Sequence, residues 1–159
     1  MTKVRNADAS ELDSLAQIWY CGWQDAHAAI LPAELQRLRT VESFAQRLEK
    51  LLSRVRVAGP AGAPLGFCIT KDDELYQLYV LAEARGKGVA AALIADAECR
   101  FAEAGVETAW LACAIGNDRA ARFYEKSGWC RTGNIVSKLT TDEGVFPLEV
   151  WRYEKSLKV

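Results

Sequence analysis

An α/β (α+β) fold, with about seven strands in one sheet flanked by about four helices, is what this sequence predicts. Two observations lead there. Segments with apolar residues at helical spacing alternate with short runs rich in Leu, Tyr, Val and Ile, so helices and strands share one chain. A run of strand character over residues 74–81 also passes straight into Arg85-Gly86-Lys87-Gly88-Val89-Ala90, which opens an Ala- and Leu-rich helix. The 159 residues, 50% of them hydrophobic and 26% charged, are enough for one packed core, and a single domain over 1–159 is expected.

Residues 2–5 read as a short first strand. Asp8 and Glu11 form a capping-box pattern ahead of Leu12, Leu15, Ile18 and Trp19, which predicts a helix to about Cys21. A second, less regular helical stretch carries Trp23, Asp25 and His27 and is punctuated by Pro32. Thr40 caps a further helix whose Phe44, Leu48 and Leu51 share a face. Residues 54–57 alternate as a half-exposed strand, and Gly59 to Pro64 turns the chain into a strand over 65–70. Asp72-Asp73 makes another turn before 74–81. Val89, Leu93, Ala97 and Phe101 line one face of the next helix, which Gly105 ends. A strand over 108–113 follows, then a helix from Asn117 to its stop at Gly128. Two closing strands, near 129–136 and 146–153, flank a turn at Asp142-Glu143-Gly144.

Charge and composition narrow the function classes. Twenty Lys plus Arg against 21 Asp plus Glu leave a net charge of -1, so the broad positive field of a nucleic-acid or anionic-membrane binder is missing and any anion site must be local. No apolar run approaches the roughly 20 residues of a membrane helix, and the N-terminal residues have no signal-peptide core, which predicts a cytoplasmic protein. The five cysteines are odd in number and widely spaced, without a Cys-x-x-Cys pair. They indicate neither a disulfide framework nor a metal site and read as small buried apolar side chains.

The loop at residues 85–90 carries the first chemistry. A helix mouth leaves its first N–H groups unpaired and open to a diphosphate. Gly86 and Gly88 let the backbone approach the anion, and Arg85 and Lys87 supply positive charge. The plainer reading is an ordinary glycine turn with solvated basic residues. A dinucleotide fingerprint is matched loosely, but no acidic residue stands near position 111 to hold a ribose; a nucleoside-triphosphate loop is absent, because Lys87 is followed by glycine.

In these residues the sequence resembles the GNAT superfamily of N-acetyltransferases. Its Gln/Arg-x-x-Gly-x-Gly/Ala signature is matched by Arg85, Gly88 and Ala90. Its second block, Asn-x-x-Ala-x-x-aromatic-Tyr-x-x-x-Gly-aromatic, is matched by Asn117, Ala120, Phe123, Tyr124, Gly128 and Trp129, and residues 74–80 look like its fourth strand. The resemblance spans nearly the whole chain, although residues 23–52 match only in being helical. It implies a mixed, mostly antiparallel sheet, splayed after the fourth strand, with the pantetheine arm of acetyl-CoA inserted in the gap. It implies that the Leu78 backbone meets the acetyl carbonyl, that Val80, with Tyr79 between them, meets the pantetheine amides, and that Arg85, Gly86, Lys87, Gly88, Val89 and Ala90 seat the pyrophosphate. Asn117 would hydrogen-bond the pantetheine arm; as a helix N-cap it has an equally good plain role.

Transfer to an amine also needs proton handling, since an amine of ordinary pKa about 10.4 is protonated at neutral pH. Glu74, eleven residues before Arg85, is where some family members carry a general base working through water; its plainer reading is a solvated charge beside Asp72 and Asp73. Tyr124 matches the family's acid to the departing thiolate, against a plain aromatic closing the helix on the sheet. No cysteine is placed for an acyl-enzyme, so direct transfer in a ternary complex is expected, with acetyl-CoA as cosubstrate, no metal, and a small-molecule or peptide amine as acceptor. By family placement the acceptor pocket would draw on Trp19, Trp23, His27, Asp142 and Glu143, although Trp and His on an apolar helical face more often belong to the core. A homodimer is allowed; nucleic-acid and membrane partners are not expected. Two other classes stay open at this level: an acyl-CoA-binding module without transfer, and an interaction domain without cofactor.

Overall fold

A computed structural model describes residues 2–157. Its elements are β1 (Val4–Asn6), α1 (Leu12–His27), α2 (Ala33–Leu38), α3 (Val41–Leu51), β2 (Val55–Ala58), β3 (Gly66–Lys71), β4 (Glu74–Val80), α4 (Val89–Glu103), β5 (Thr108–Ala114), α5 (Asp118–Lys126), β6 (Cys130–Thr141) and β7 (Gly144–Ser156). The seven strands form one sheet in the order β1-β2-β3-β4-β5-β7-β6. Every neighbouring pair is antiparallel except β4 with β5.

That parallel pair positions everything functional. β4 and β5 meet at the single register point Glu74↔Trp110, where the Trp110 N–H donates to the Asp73 carbonyl (3.0 Å), and then part. At the other end of β4 the Leu81 N–H donates to the Leu65 carbonyl (2.8 Å). Alternation along the antiparallel β3–β4 ladder therefore turns the backbone groups of Tyr79 toward β3 and those of Leu78 and Val80 toward the gap. A buried edge with unpaired polar backbone needs a partner.

Two apolar clusters sit on opposite faces of the sheet. One joins α4 and α5 through Leu93, Phe101, Leu111, Trp129 and Tyr153; the other joins α1 and α3 through Trp19, Phe44, Leu48, Phe67 and Ile69. The secondary-structure elements need three corrections against the sequence. The first helix does not stop near Cys21 but runs on to His27, after a short 3-10 turn that Asp8 and Glu11 cap reciprocally. Gly22 weakens a helix by about 1 kcal/mol, yet it lies against the Tyr79 ring, where a Cβ would come within 2.5 Å of Cδ1; tertiary packing overrides the local stop signal. The segment after Pro32 forms its own helix, α2, so there are five α-helices among the described residues. The closing strands are longer than expected, pairing from Thr141↔Gly144 to Cys130↔Glu154, because residues 144–149 of β7 reach past β5 and pair with β6 alone. Leu139, Phe146 and Leu148 of this overhang pack on the α1–α3 cluster and supply the burial that holds it in place. Of the five cysteines, Cys68 and Cys113 are buried as expected, while Cys21, Cys99 and Cys130 lie exposed on outer helix faces or at a strand start. Among the described residues no helix is long and apolar enough to cross a membrane.

Candidate active site

Where β4 and β5 separate, two cavities open on either side of the gap. The first, of about 380 Å³, is walled by Val80, Arg85, Gly86, Gly88, Val89 and Ala90 on one side and by α5 on the other. The second, of about 160 Å³, lies between α1, the α2–α3 connection, β4 and the β6–β7 overhang, and includes Trp19, Trp23, His27 and Glu74. Leu78, Tyr79, Asn117, Ala120 and Tyr124 line both. The junction of the two cavities thus coincides with the free backbone edge of β4.

In the first cavity the backbone does most of the shaping. Gly86 (φ 78°) and Gly88 (φ 81°) both occupy the left-handed region, and a Cβ on either would point into open space rather than into protein. Gly88 is the N-cap of α4 and offers no side chain to its first turn; the first helical bond is Ala92 N–H to the Gly88 carbonyl (3.0 Å). The N–H groups of Val89, Ala90 and Ala91 are therefore left to an outside acceptor, at the positive end of a 15-residue helix with no acidic residue in its first turn. Arg85 is held on the far side by Asp25 of α1 (3.2 Å), an exposed pair that sequence reading missed because 60 residues separate its members.

Asn117 caps α5 as its plain reading predicts, its Oδ1 accepting from the Ala120 N–H (3.3 Å). Its side-chain amide nitrogen is not used in that bond. Tyr124 packs among Phe123, Trp129 and Tyr153, with ring centroids 5.5, 6.4 and 6.2 Å away. Burial raises its phenol well above the ordinary range, and nearby Cys113 and Tyr79 add to this, so Tyr124 keeps its proton at every working pH. The Cys113 thiol, also in the second cavity, is pushed by burial up to about 12; a thiol so held is neutral and a poor nucleophile.

Glu74 stands at the start of β4. Burial raises its carboxyl, Asp73 adds to the effect, and Lys71 and Arg152 oppose it. Four strand residues at about 3.3 Å each put it about 13 Å along β4 from Leu78, so it can reach the junction only through water. Trp19 is fully buried and stacked on Phe44 (centroids 4.7 Å apart), and Trp23 lies beside His27 (5.1 Å), so these side chains are core residues that also form a cavity wall. Asp142 and Glu143 are exposed at the hairpin turn and stand outside the cavity wall; Glu143 pairs with Arg37 (2.8 Å). Among the charged lining residues, Arg39 and Arg47 were not anticipated. Arg47 had a readable signal, a charge beside Phe44 and Leu48 on an otherwise apolar stripe. Arg39, one residue before the helix cap, had none.

Known proteins share this architecture. The model of the acetyltransferase (GNAT) family matches residues 13–129. An uncharacterized N-acetyltransferase of Mycobacterium tuberculosis is 31% identical over 117 residues, covering 70% of this chain and 72% of the relative. Among solved structures, a GCN5-related N-acetyltransferase from Rhodopseudomonas palustris superposes with a TM-score of 0.76 at 22% identity, over 98% of this chain and 96% of that one. YncA from Salmonella typhimurium, solved with its cofactor acetyl-CoA, superposes at 0.69 and 17% identity over 100% and 95%. At these identities the two structures show a common fold.

Proposed function

The chain belongs to the acetyltransferase (GNAT) family and is an N-acetyltransferase; on that premise we propose that it uses acetyl-CoA to acetylate a primary amine by direct attack within a ternary complex, with Glu74 as base through water and Tyr124 as acid. The observation that carries this reading is the shared wall of the two cavities, where an acyl donor from one side and an amine from the other would meet at the unpaired edge of β4.

Acetyl-CoA supplies an acyl group already activated as a thioester. The N–H groups at the mouth of α4, with Arg85 and Lys87, hold its pyrophosphate, and the backbone edge at Leu78 and Val80, on either side of Tyr79, pairs with the pantetheine arm as an added strand would. Asn117 donates its free amide hydrogens to the same arm. Glu74, its carboxyl raised by burial, accepts the proton of the incoming ammonium through water. The amine nitrogen then bonds to the acetyl carbon, and the Leu78 N–H steadies the charge on the carbonyl oxygen. As the carbon–sulfur bond breaks, the Tyr124 hydroxyl passes its proton to the departing sulfur while taking up, through water, the second proton shed by the attacking nitrogen, so that no tyrosinate forms. The raised Cys113 thiol supports a route without acyl-enzyme.

Acceptor-dependent release of free thiol tests the assignment. Tyr124→Phe is expected to lower turnover by about tenfold or more while the melting shift induced by CoA stays intact; full turnover removes Tyr124 from the mechanism. With Glu74 as base, kcat/KM falls as pH drops through a value above the ordinary carboxylate pKa, since only the ionised group accepts a proton. Glu74→Gln should erase that acidic limb, and an unchanged profile would exclude Glu74.

A further inference from the structure

The second cavity holds two cationic side chains with no carboxylate beside either. Two other partly buried arginines pair in two-pronged fashion: Arg5 donates to both oxygens of Glu11 (2.9 and 2.7 Å) and Arg56 to both oxygens of Asp96 (3.1 and 3.0 Å). Arg39 is more buried than either, at 4% exposure, and its guanidinium makes one protein hydrogen bond, from Nη1 to the Thr140 carbonyl (3.0 Å). Arg47 lies over the Trp19 ring, 4.4 Å from its centroid, and donates from Nη2 to the Tyr76 hydroxyl (2.6 Å). Neither arginine has a salt bridge among the described residues. Asp142 acts on Arg39 only as the weakest of its influences, whereas burial and the neighbouring Arg47 together lower the Arg39 guanidinium to about 10. Glu74 is the one carboxylate in the cavity wall. The Lys71 ammonium stands 3.8 Å from the Tyr76 ring centroid, adding positive charge nearby. His27 Nδ1 is buried in the same wall without a hydrogen-bond partner among the described residues.

Buried cations normally keep a paired anion, because taking a charge from water without one is costly. The unused donors of Arg39 and Arg47 border the cavity, and a planar carboxylate suits them. Leu35, Leu139, Leu148 and Trp23 offer an apolar wall for the rest of a ligand. At roughly 10–15 Å³ for each water-sized position, 160 Å³ admits on the order of ten heavy atoms.

We propose that the acceptor is a small free amino acid with an apolar side chain, its carboxylate held by Arg39 and Arg47 and its amine directed to the junction at Leu78 and Tyr124. This rests on the acetyl-transfer reading and sharpens it. A polyamine would bring a second positive charge to the two arginines, and an internal peptide residue would bring no carboxylate.

Matched acceptors test this by thiol release: L-phenylalanine and L-leucine, their amides, and the decarboxylated amines phenethylamine and isoamylamine. The amino acids should exceed amides and amines by about tenfold or more in kcat/KM, mainly through KM. 3-Phenylpropionate, which has the carboxylate and no amine, should inhibit competitively against the amino acid. In Arg47→Gln, with the CoA melting shift as proof of fold, that preference should collapse towards parity; Arg39→Gln should behave alike, and a purely structural role would lower all acceptors together. Equal or better use of amides or decarboxylated amines overturns the amino-acid assignment while leaving acetyl transfer to amines standing. Absence of transfer to every acceptor, with CoA still bound, overturns both.

Discussion

The two cavities on either side of the β4–β5 gap are built on opposite principles. The first is made by main chain: positive-φ glycines at 86 and 88, three unpaired N–H groups at the start of α4, and the free edge of β4. The second is made by side chains brought from α1, the α2–α3 connection, α3, β4 and the β6–β7 overhang. A backbone site binds a cofactor common to a whole family and tolerates little change in residue size. A side-chain site leaves its specificity free to vary on the same scaffold, which is why the acyl donor can be inferred from fold and loop whereas the acceptor needs the charges of Arg39 and Arg47.

Three perturbations would sharpen or break this contrast. The largest concerns the side-chain cavity. Burial holds the His27 imidazole down at about 4, against an ordinary 6.5. The unfolded chain binds a proton that the folded chain refuses, so this contribution to stability is complete above about pH 6.5 and is lost as pH falls towards 4, on the order of 3 kcal/mol in all. Glu11, held at about 2 mainly by its hydrogen bonds from Arg5, adds its own loss only below the ordinary carboxylate value of 4.5. Melting curves between pH 7 and 5 should therefore show a fall in Tm that shrinks in His27→Phe, and an identical fall in both proteins would refute the linkage.

The second concerns the backbone cavity. Gly88→Val places a β-branched residue at φ 81°, which costs about 1–2 kcal/mol or more and puts a side chain into the proposed pyrophosphate seat. KM for acetyl-CoA should rise about tenfold while KM for the acceptor changes little; parallel changes in both would mean the two cavities are not separable. The smallest effect lies at the rim of the same backbone cavity. Asp25 partly neutralises Arg85 across an exposed pair, so Asp25→Asn should tighten CoA binding by no more than about threefold, most visibly at low salt. Weaker binding in a CoA titration would show instead that Asp25 orients Arg85.

Legibility followed the same division. The capping residues Asp8 and Thr40, the strands read at 54–57 and 65–70, the helix stops at Gly105 and Gly128, and the turn at Asp142-Glu143 act over a few neighbouring residues, and each appears within about a residue of where the pattern puts it. The continuation of α1 through Gly22 was hidden, because it depends on a ring from β4. So was the length of the last hairpin, whose overhang is stabilised by burial against helices more than 80 residues earlier.

The amino-acid sequence by itself determined the loop that can cradle a diphosphate, since an α4 mouth flanked by glycines is a local property of consecutive residues. Only the tertiary structure decided that Arg39 and Arg47 face one cavity without a salt-bridge partner among the described residues, because burial and pairing are sums over distant neighbours that no window of sequence contains.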